Sequence, residues 1–309
     1  MRARRPGRRP RATLPAVTAR SEVPASYRSS SVRPGPLAAI RIGLTETLSR
    51  RRLIAYLVRA DLRKTGADTL LGNVWWIVDP LLQMLVYYLL VGVILQRNKY
   101  DDFPLFIFAA ILPWKWFDST VKSGLHAVVG SERLIKQINF PKLVLPLSAA
   151  ISEVVNFAFG LIPLTALMLL FYPDRLTWWM LAIPVIGAVQ LVFGTAFAIG
   201  VSALNVFYRD IGNLARHLMR FWFYLSPTLY GIDQVETITA NQPTIGPIID
   251  LWYAINPFTY LLGAYRAVIY EGTAPHWSAL LILLGASTVF LALATLLFKR
   301  LEPNFAKVL

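Results

Sequence analysis

No cysteine occurs anywhere in the 309 residues, which rules out a disulfide, a thiolate zinc site and a thiol nucleophile. Charge is also scarce. Only 16% of the residues are Asp, Glu, Lys or Arg, against about a quarter in a soluble globular chain. Acid is scarcer than base, with 17 carboxylates against 31 Lys and Arg. No G-x-x-x-x-G-K-[ST] loop appears, so the chain carries no phosphate loop for hydrolysing nucleotide. The three histidines, His126, His217 and His276, have no metal-ligand spacing, and no serine, histidine and acid are placed together for catalysis. Catalytic residues and a metal site are therefore not expected.

What the chain has instead is apolar length. Hydrophobic residues make up 56% of it, and the mean hydropathy is +0.51. Apolar runs of roughly 20 residues, the length that crosses a bilayer, recur along it. The expected fold is an all-α membrane protein of about six transmembrane helices, with an N-terminal amphipathic interface helix and a re-entrant helix pair before the last span. The spans are expected over residues 74–95, 103–129, 143–171, 178–207, 218–232 and 277–298, with residues 208–216 as a charged loop. Residues 245–270 are apolar but broken by Pro247 and Pro257, which fits two short re-entrant helices better than one span.

The net charge of +14 invites a nucleic-acid reading, but its placement opposes it. Roughly half of the 31 basic residues precede the first long apolar run, and most others lie in short loops. That is the positive-inside pattern, and basic residues there also meet anionic membrane lipid. Arg133, Lys136, Lys142, Arg209, Arg216, Lys299 and Arg300 fall in segments expected inside, whereas Asp101, Asp102, Asp174, Asp233, Glu236, Asp250 and Glu271 fall outside. With an even number of spans, both termini are expected in the cytosol.

Three regions divide the chain. Residues 1–49 read as a disordered basic cytosolic tail, rich in Arg, Pro and Ser. Residues 50–73 read as the interface helix, with Ile54, Leu57, Val58 and Leu62 on one face among Arg51, Arg52, Arg59, Arg63 and Lys64. Residues 74–309 form the membrane domain. Its second span is unusually polar, carrying Lys115, Asp118 and Lys122. The carboxylates Asp79, Asp118 and Glu153 are either ion-coupling groups or partners of Lys115, Lys122 and the interface.

Several stretches in order now carry a resemblance. D-L-R-K-x6-L-G-x-x-W runs from Asp61 to Trp75, and L-P-W-K-W-F from Leu112 to Phe117. L-I-K-Q-I-N-F-P-K-L-V-L-P-L runs from Leu134 to Leu147, and L-N-V-F-Y-R-D-I from Leu204 to Ile211. Y-L-S-P-T-L-Y spans Tyr224 to Tyr230, followed by N-P-F-T at Asn256 and Y-R at Tyr265. In their order and spacing these pieces resemble the permeases of ABC polysaccharide exporters, which move O-antigen, teichoic acid and related glycans. Thr65 and Gly66 stand where the family usually has Arg-Tyr, and the long N-terminal tail lies outside the common pattern.

The resemblance implies a membrane subunit of an ATP-driven exporter in the cytoplasmic membrane, forming a homodimer. It implies two copies of a separate nucleotide-binding subunit that holds ATP and Mg, so that this chain needs no cofactor. The cargo would be a lipid-linked polysaccharide, an O-antigen-like glycan or a polyprenyl-diphosphate-linked cell-wall galactan. Glu132, Arg133, Leu134, Ile135, Lys136 and Gln137 would form the coupling helix that docks on the ATPase, with Tyr208, Arg209 and Asp210 as a second contact. Trp114, Trp116, Phe117, Phe221, Trp222, Phe223, Tyr224 and Tyr230 either line a glycan path or pack between helices. An ABC permease for drugs or other lipids, a membrane-embedded transferase and an ion-coupled transporter are the alternatives.

Overall fold

The structure is a computed structural model that describes residues 35–66, 70–96, 100–242 and 244–309. All regular structure among them is helical. Helix α1 (Pro36–Ser49) and helix α2 (Arg51–Gly66) come first. Helix α3 (Trp75–Tyr87) widens into a π turn over Tyr88–Ile94. Helices α4 (Phe103–Ala127), α5 (Glu132–Gln137) and α6 (Val144–Phe171) follow. A 3₁₀ stretch, Trp178–Ala182, leads into α7 (Ile183–Phe207), and α8 is Ile211–Leu225. Three short helices come next: α9 (Ile232–Ala240), α10 (Gly246–Ile255) and α11 (Pro257–Arg266), the last continued by a π turn. Helix α12 (Trp277–Leu301) and the terminal turn α13 (Phe305–Val308) close the chain.

Among the described residues, four helical segments are long and apolar enough to cross a membrane: Trp75–Ile94, Val144–Phe171, Trp178–Phe207 and Trp277–Val308. They coincide with four of the expected spans. The expected second span is the 25-residue α4, long enough but loaded with Lys115, Asp118 and Lys122. It is the centre of the protein rather than a lipid-facing helix. Leu105, Ile107, Phe108, Ala109, Ala110 and Ile111 on α4 are wholly buried, the pattern of a helix that is apolar all round and enclosed on all sides. Helices α3, α6 and α7 pack around it, and α12 packs on the far side of α7.

Two expectations need correction. The sequence predicts a fifth span at residues 218–232 after a loop at 208–216, but helix α8 begins at Ile211 and ends at Leu225. Ser226 is extended because Pro227 follows it, and a residue before proline is driven out of the helical region. The 15 residues of α8 reach about 22 Å, short of a ~30 Å hydrocarbon core. Secondly, part of the tail expected to be disordered through residue 49 is helical from Pro36. Proline at the first position and the Leu-Ala-Ala run favour a helix there. Gly43 and Thr47 then bury one side of α1 against α12. The remainder of that tail, residues 1–34, lies outside the described residues, as do residues 67–69 at the end of the expected interface segment.

The residues after α9 form the two short helices expected, α10 and α11, divided at Asn256–Pro257. Asn256 is extended and caps α11, its Oδ1 accepting the Phe258 N–H at 3.1 Å. Proline in the next position lacks the N–H that the cap would otherwise have to satisfy.

Candidate functional site: the α5 surface, the charged groove and the broken turn

Helix α5 is short, and tertiary anchoring holds it. Ile135 is buried in a cluster with Phe140, Leu143, Val206, Phe298 and Phe305, while Arg133, Lys136 and Gln137 are exposed and Leu134 is half-buried. Lys136 donates to Glu132 at 2.6 Å, one helical turn back. That bond, then the Lys136 charge, hold the Glu132 carboxyl below its ordinary range, and Arg209 lowers it further. The turn of Tyr208, Arg209 and Asp210 is exposed and near enough for its arginine to act on Glu132. The two stretches expected to meet an ATPase therefore lie close together. Asn205 fixes the turn from within, donating to the Leu125 carbonyl of α4 at 2.8 Å.

A second feature is a groove of about 670 Å³ between α3, α4 and α8. Trp114, Tyr87, Phe223 and Tyr224 provide its aromatic surface, and Asp79, Lys115, Asp118, Lys122, Arg216 and Arg220 its charge. Four cations against two carboxylates leave it net positive. Lys115 pairs with Asp79, and Lys122 with Asp118 at 2.5 Å. Glu153 is buried on α6, where it accepts from Ser123 at 2.5 Å and from Asn156 at 2.9 Å. Each of the three membrane carboxylates thus has a local partner.

The aromatic residues separate into two groups. Trp114, Trp116, Phe117 and Phe223 are buried. Phe258, itself wholly buried, is the hub: its ring centroid lies 4.6 Å from Trp114, 4.8 Å from Phe117 and 5.4 Å from Trp222. Phe193 and Phe197 of α7 complete the cluster, which ties α4, α7, α8 and α11 together. Phe221 and Tyr224 are exposed, and Tyr230 is half-buried with its hydroxyl 2.6 Å from that of Tyr253.

The turn after α8 is held by residues whose role the sequence did not disclose. Asn256 donates to Ser226 Oγ at 3.0 Å and accepts the Trp222 indole N–H at 2.9 Å. Arg266, also buried, donates to the carbonyls of Pro227 at 2.6 Å, Thr228 at 2.8 Å and Tyr230 at 3.0 Å. Its guanidinium also lies 3.8 Å from the Phe106 ring centroid. The available signal was a lone arginine in an apolar run, and such a group faces protein rather than lipid. At the same end Arg175 holds Asp102 at 2.9 Å, and Tyr100 donates to Asp233. Burial first, then the bond to Asp233, raise the Tyr100 phenol.

Asn256→Ala deletes all three bonds of a buried side chain, and we expect it to remove about 2–3 kcal/mol of stability. Trp222→Phe, which deletes one, should cost about 1 kcal/mol. Thermal melts of the detergent-extracted protein test both, and equal losses would contradict the assignment of three separate bonds.

Long apolar helices wrapped around a buried, charge-bearing α4 define a polytopic helical membrane protein. The family model of the ABC-2 type transporter matches residues 52–270, and the chain belongs to that family. It is similar to the O-antigen export system permease protein RfbA of Myxococcus xanthus, at 32% identity over 262 residues, covering 85% of this chain and 97% of the relative. It is also similar to the O-antigen export system permease protein RfbA of Klebsiella pneumoniae, at 25% identity over 259 residues, covering 83% of this chain and 95% of the relative.

Proposed function

We propose that this chain is the membrane subunit of an ATP-driven exporter that carries a lipid-linked polysaccharide across the cytoplasmic membrane. The observation that carries the reading is the match, over nearly the full length of the relative, to an O-antigen export permease. The chain works as a homodimer with two copies of a separate ABC nucleotide-binding subunit, which holds ATP and Mg. Two copies sharing one self-complementary interface close a two-fold assembly.

In this reading α4 and α8, the latter lengthened by the buried turn 226–228 that follows it, join the four long apolar segments as six crossings, and both termini lie in the cytosol. Helices α10 and α11 form a re-entrant pair, whose broken backbone at Asn256 is tolerable because protein covers it. Helix α5 is the coupling helix. Its Ile135 is rooted in the same cluster as Phe298 at the end of α12, so a push on α5 reaches the spans through packed side chains. Tyr208, Arg209 and Asp210 form the second contact. The charged groove is one wall of the path, with Tyr224 as the exposed ring on it able to meet sugar. The cations Arg216 and Arg220 would attract the phosphates of a lipid carrier. The cargo is an O-antigen-like glycan or a cell-wall galactan on polyprenyl diphosphate. An ion-coupled mechanism finds no support in the carboxylates, since Asp79, Asp118 and Glu153 all have local partners.

Co-purification tests the reading. The tagged chain, extracted in mild detergent, is expected to bring down a P-loop ATPase in equal amount. Replacing Glu132, Arg133 and Lys136 together with alanine should cut that recovery about tenfold, as expected when a few charged contacts worth ~1.4 kcal/mol are lost from a small interface. Wild-type recovery with the triple substitution would remove α5 from the ATPase contact. No ATPase under several mild conditions would remove the exporter reading.

A further inference from the structure

Helix α1 lies outside the residues that match the family, which begin at residue 52. One side of it is spoken for. Gly43 and Thr47, four residues apart, are buried, and a Cβ on Gly43 would lie 2.9 Å from Lys299 Cε of α12. Lys299 then reaches back to Glu46 at 3.2 Å and across to Glu302 at 3.0 Å. Glu302 in turn accepts the Lys142 backbone N–H at 2.7 Å. These contacts fasten α1 to the C-terminal end of α12.

Another side is apolar and has no cover among the described residues. Leu37, Leu44 and Leu48 are spaced i, i+7, i+11, which puts them in one stripe along the helix. They are 83%, 39% and 64% exposed. Arg41 stands beside the stripe, and Arg50, Arg51 and Arg52 follow at its end, all exposed.

The level at which the stripe sits identifies what covers it. Helix α12 has 25 residues and so is about 37 Å long, more than a ~30 Å hydrocarbon core. Its last turn, with Lys299 and Arg300, therefore stands at the headgroups. Helix α1 is clipped to that turn and shares its depth. The lipid-facing side of α12 leads down to it through Val289, Leu293 and Leu297, all exposed. A leucine stripe flanked by arginines at headgroup depth has the make-up of a helix lying in the membrane surface.

We propose that α1 is a second interface helix. Its Leu37–Leu44–Leu48 stripe lies at the boundary of headgroups and acyl chains in the leaflet at the α12 C-terminal end. Arg41, Arg50, Arg51 and Arg52 bind the phosphates of anionic lipid there. The inference needs only that α12 spans the membrane and is independent of the cargo.

The absence of native cysteine makes the test direct. Single cysteines at Leu37, Leu44 and Leu48, and at Ala38 and Thr45 on the adjoining exposed face, would carry an environment-sensitive fluorophore on the full chain. The chain would be placed in nanodiscs containing phosphatidylglycerol. Labels on the stripe should be quenched by spin-labelled lipid and lose their quenching by iodide, while labels at 38 and 45 should show the reverse. In nanodiscs of phosphatidylcholine alone the lipid quenching of the stripe should fall. Iodide access to the stripe equal to that at 38 and 45 would overturn the proposal. So would shielding that arises only when the nucleotide-binding subunit is added, since the stripe would then be a protein-docking face. Undiminished lipid quenching in the neutral discs would overturn the anionic-lipid part.

Discussion

Arg266→Ala is expected to lose about 3–5 kcal/mol of stability and to abolish export, the largest effect of any single truncation to alanine at the turn after α8. The reason is the number of groups that depend on one side chain. Pro227 ends α8 and leaves the following carbonyls without helical donors. Arg266 supplies the missing donors to Pro227, Thr228 and Tyr230, and its plane rests on Phe106. Pro227 and Thr228 are themselves buried, so carbonyls orphaned there carry a desolvation cost. Lysine has three donors but no planar fork, so Arg266→Lys should recover part of the loss and not all. Thermal melting of the extracted protein and surface glycan in cells are the measurements. Equal stability of the alanine and wild-type proteins would show that the turn holds itself together without the guanidinium.

That contact also marks what sequence reading can and cannot reach. The periodicity and apolar length of α3, α6, α7 and α12 are local properties, and their spans are legible within a few residues. The pairing of Asp79 and Asp118 with nearby lysines was legible as one of two readings, because Lys122 is one helical turn from Asp118 and opposite charges at that spacing meet. Other features depend on partners far away in the chain. The carbonyls served by Arg266 precede it by 36 to 39 residues. Glu46 meets Lys299 across 253 residues, so nothing within residues 36–49 announces that α1 has a surface to pack on. The limits of α8 are hidden for a different reason. Its first turns carry Arg216, which looks like a loop charge until the groove beside α3 and α4 gives it a place. The aromatic residues show the same limit from the other side: composition marks Trp114 and Phe221 alike, and only the fold buries one and exposes the other.

Gly124→Val is the second large effect, and it follows from backbone proximity alone. Even an alanine Cβ at this position of α4 would lie 2.5 Å from the Cβ and 2.6 Å from the Cα of Ala198 on α7. Neither atom can swing aside, unlike the Leu112 side chain that faces Gly160. The two helices must therefore separate, and their separation strains a bond on each side of the contact. Gln190 donates to the Pro113 carbonyl at 2.7 Å, and Asn205 to the Leu125 carbonyl at 2.8 Å. Small residues allow membrane helices to approach this closely, and packing rather than hydrophobicity then holds them. The expected loss for valine is about 3 kcal/mol, with alanine intermediate. Gly200 on α7 provides the control, since a Cβ there meets nothing within 4 Å. Gly200→Ala should be neutral or stabilise the helix by up to ~1 kcal/mol. Melting curves of the three variants separate the explanations. A loss at Gly124 with none at Gly200 assigns the effect to the α4–α7 contact, whereas similar losses at both would make it a general intolerance of the membrane helices to added volume. Gly124 is next in sequence to Leu125, the acceptor of the Asn205 bond near the Tyr208–Asp210 turn, so with that turn as the proposed second ATPase contact, loosening the helix pair should also weaken the response of the spans to the ATPase. ATPase activity that persists while export falls in Gly124→Ala would locate that transmission in the α4–α7 pair.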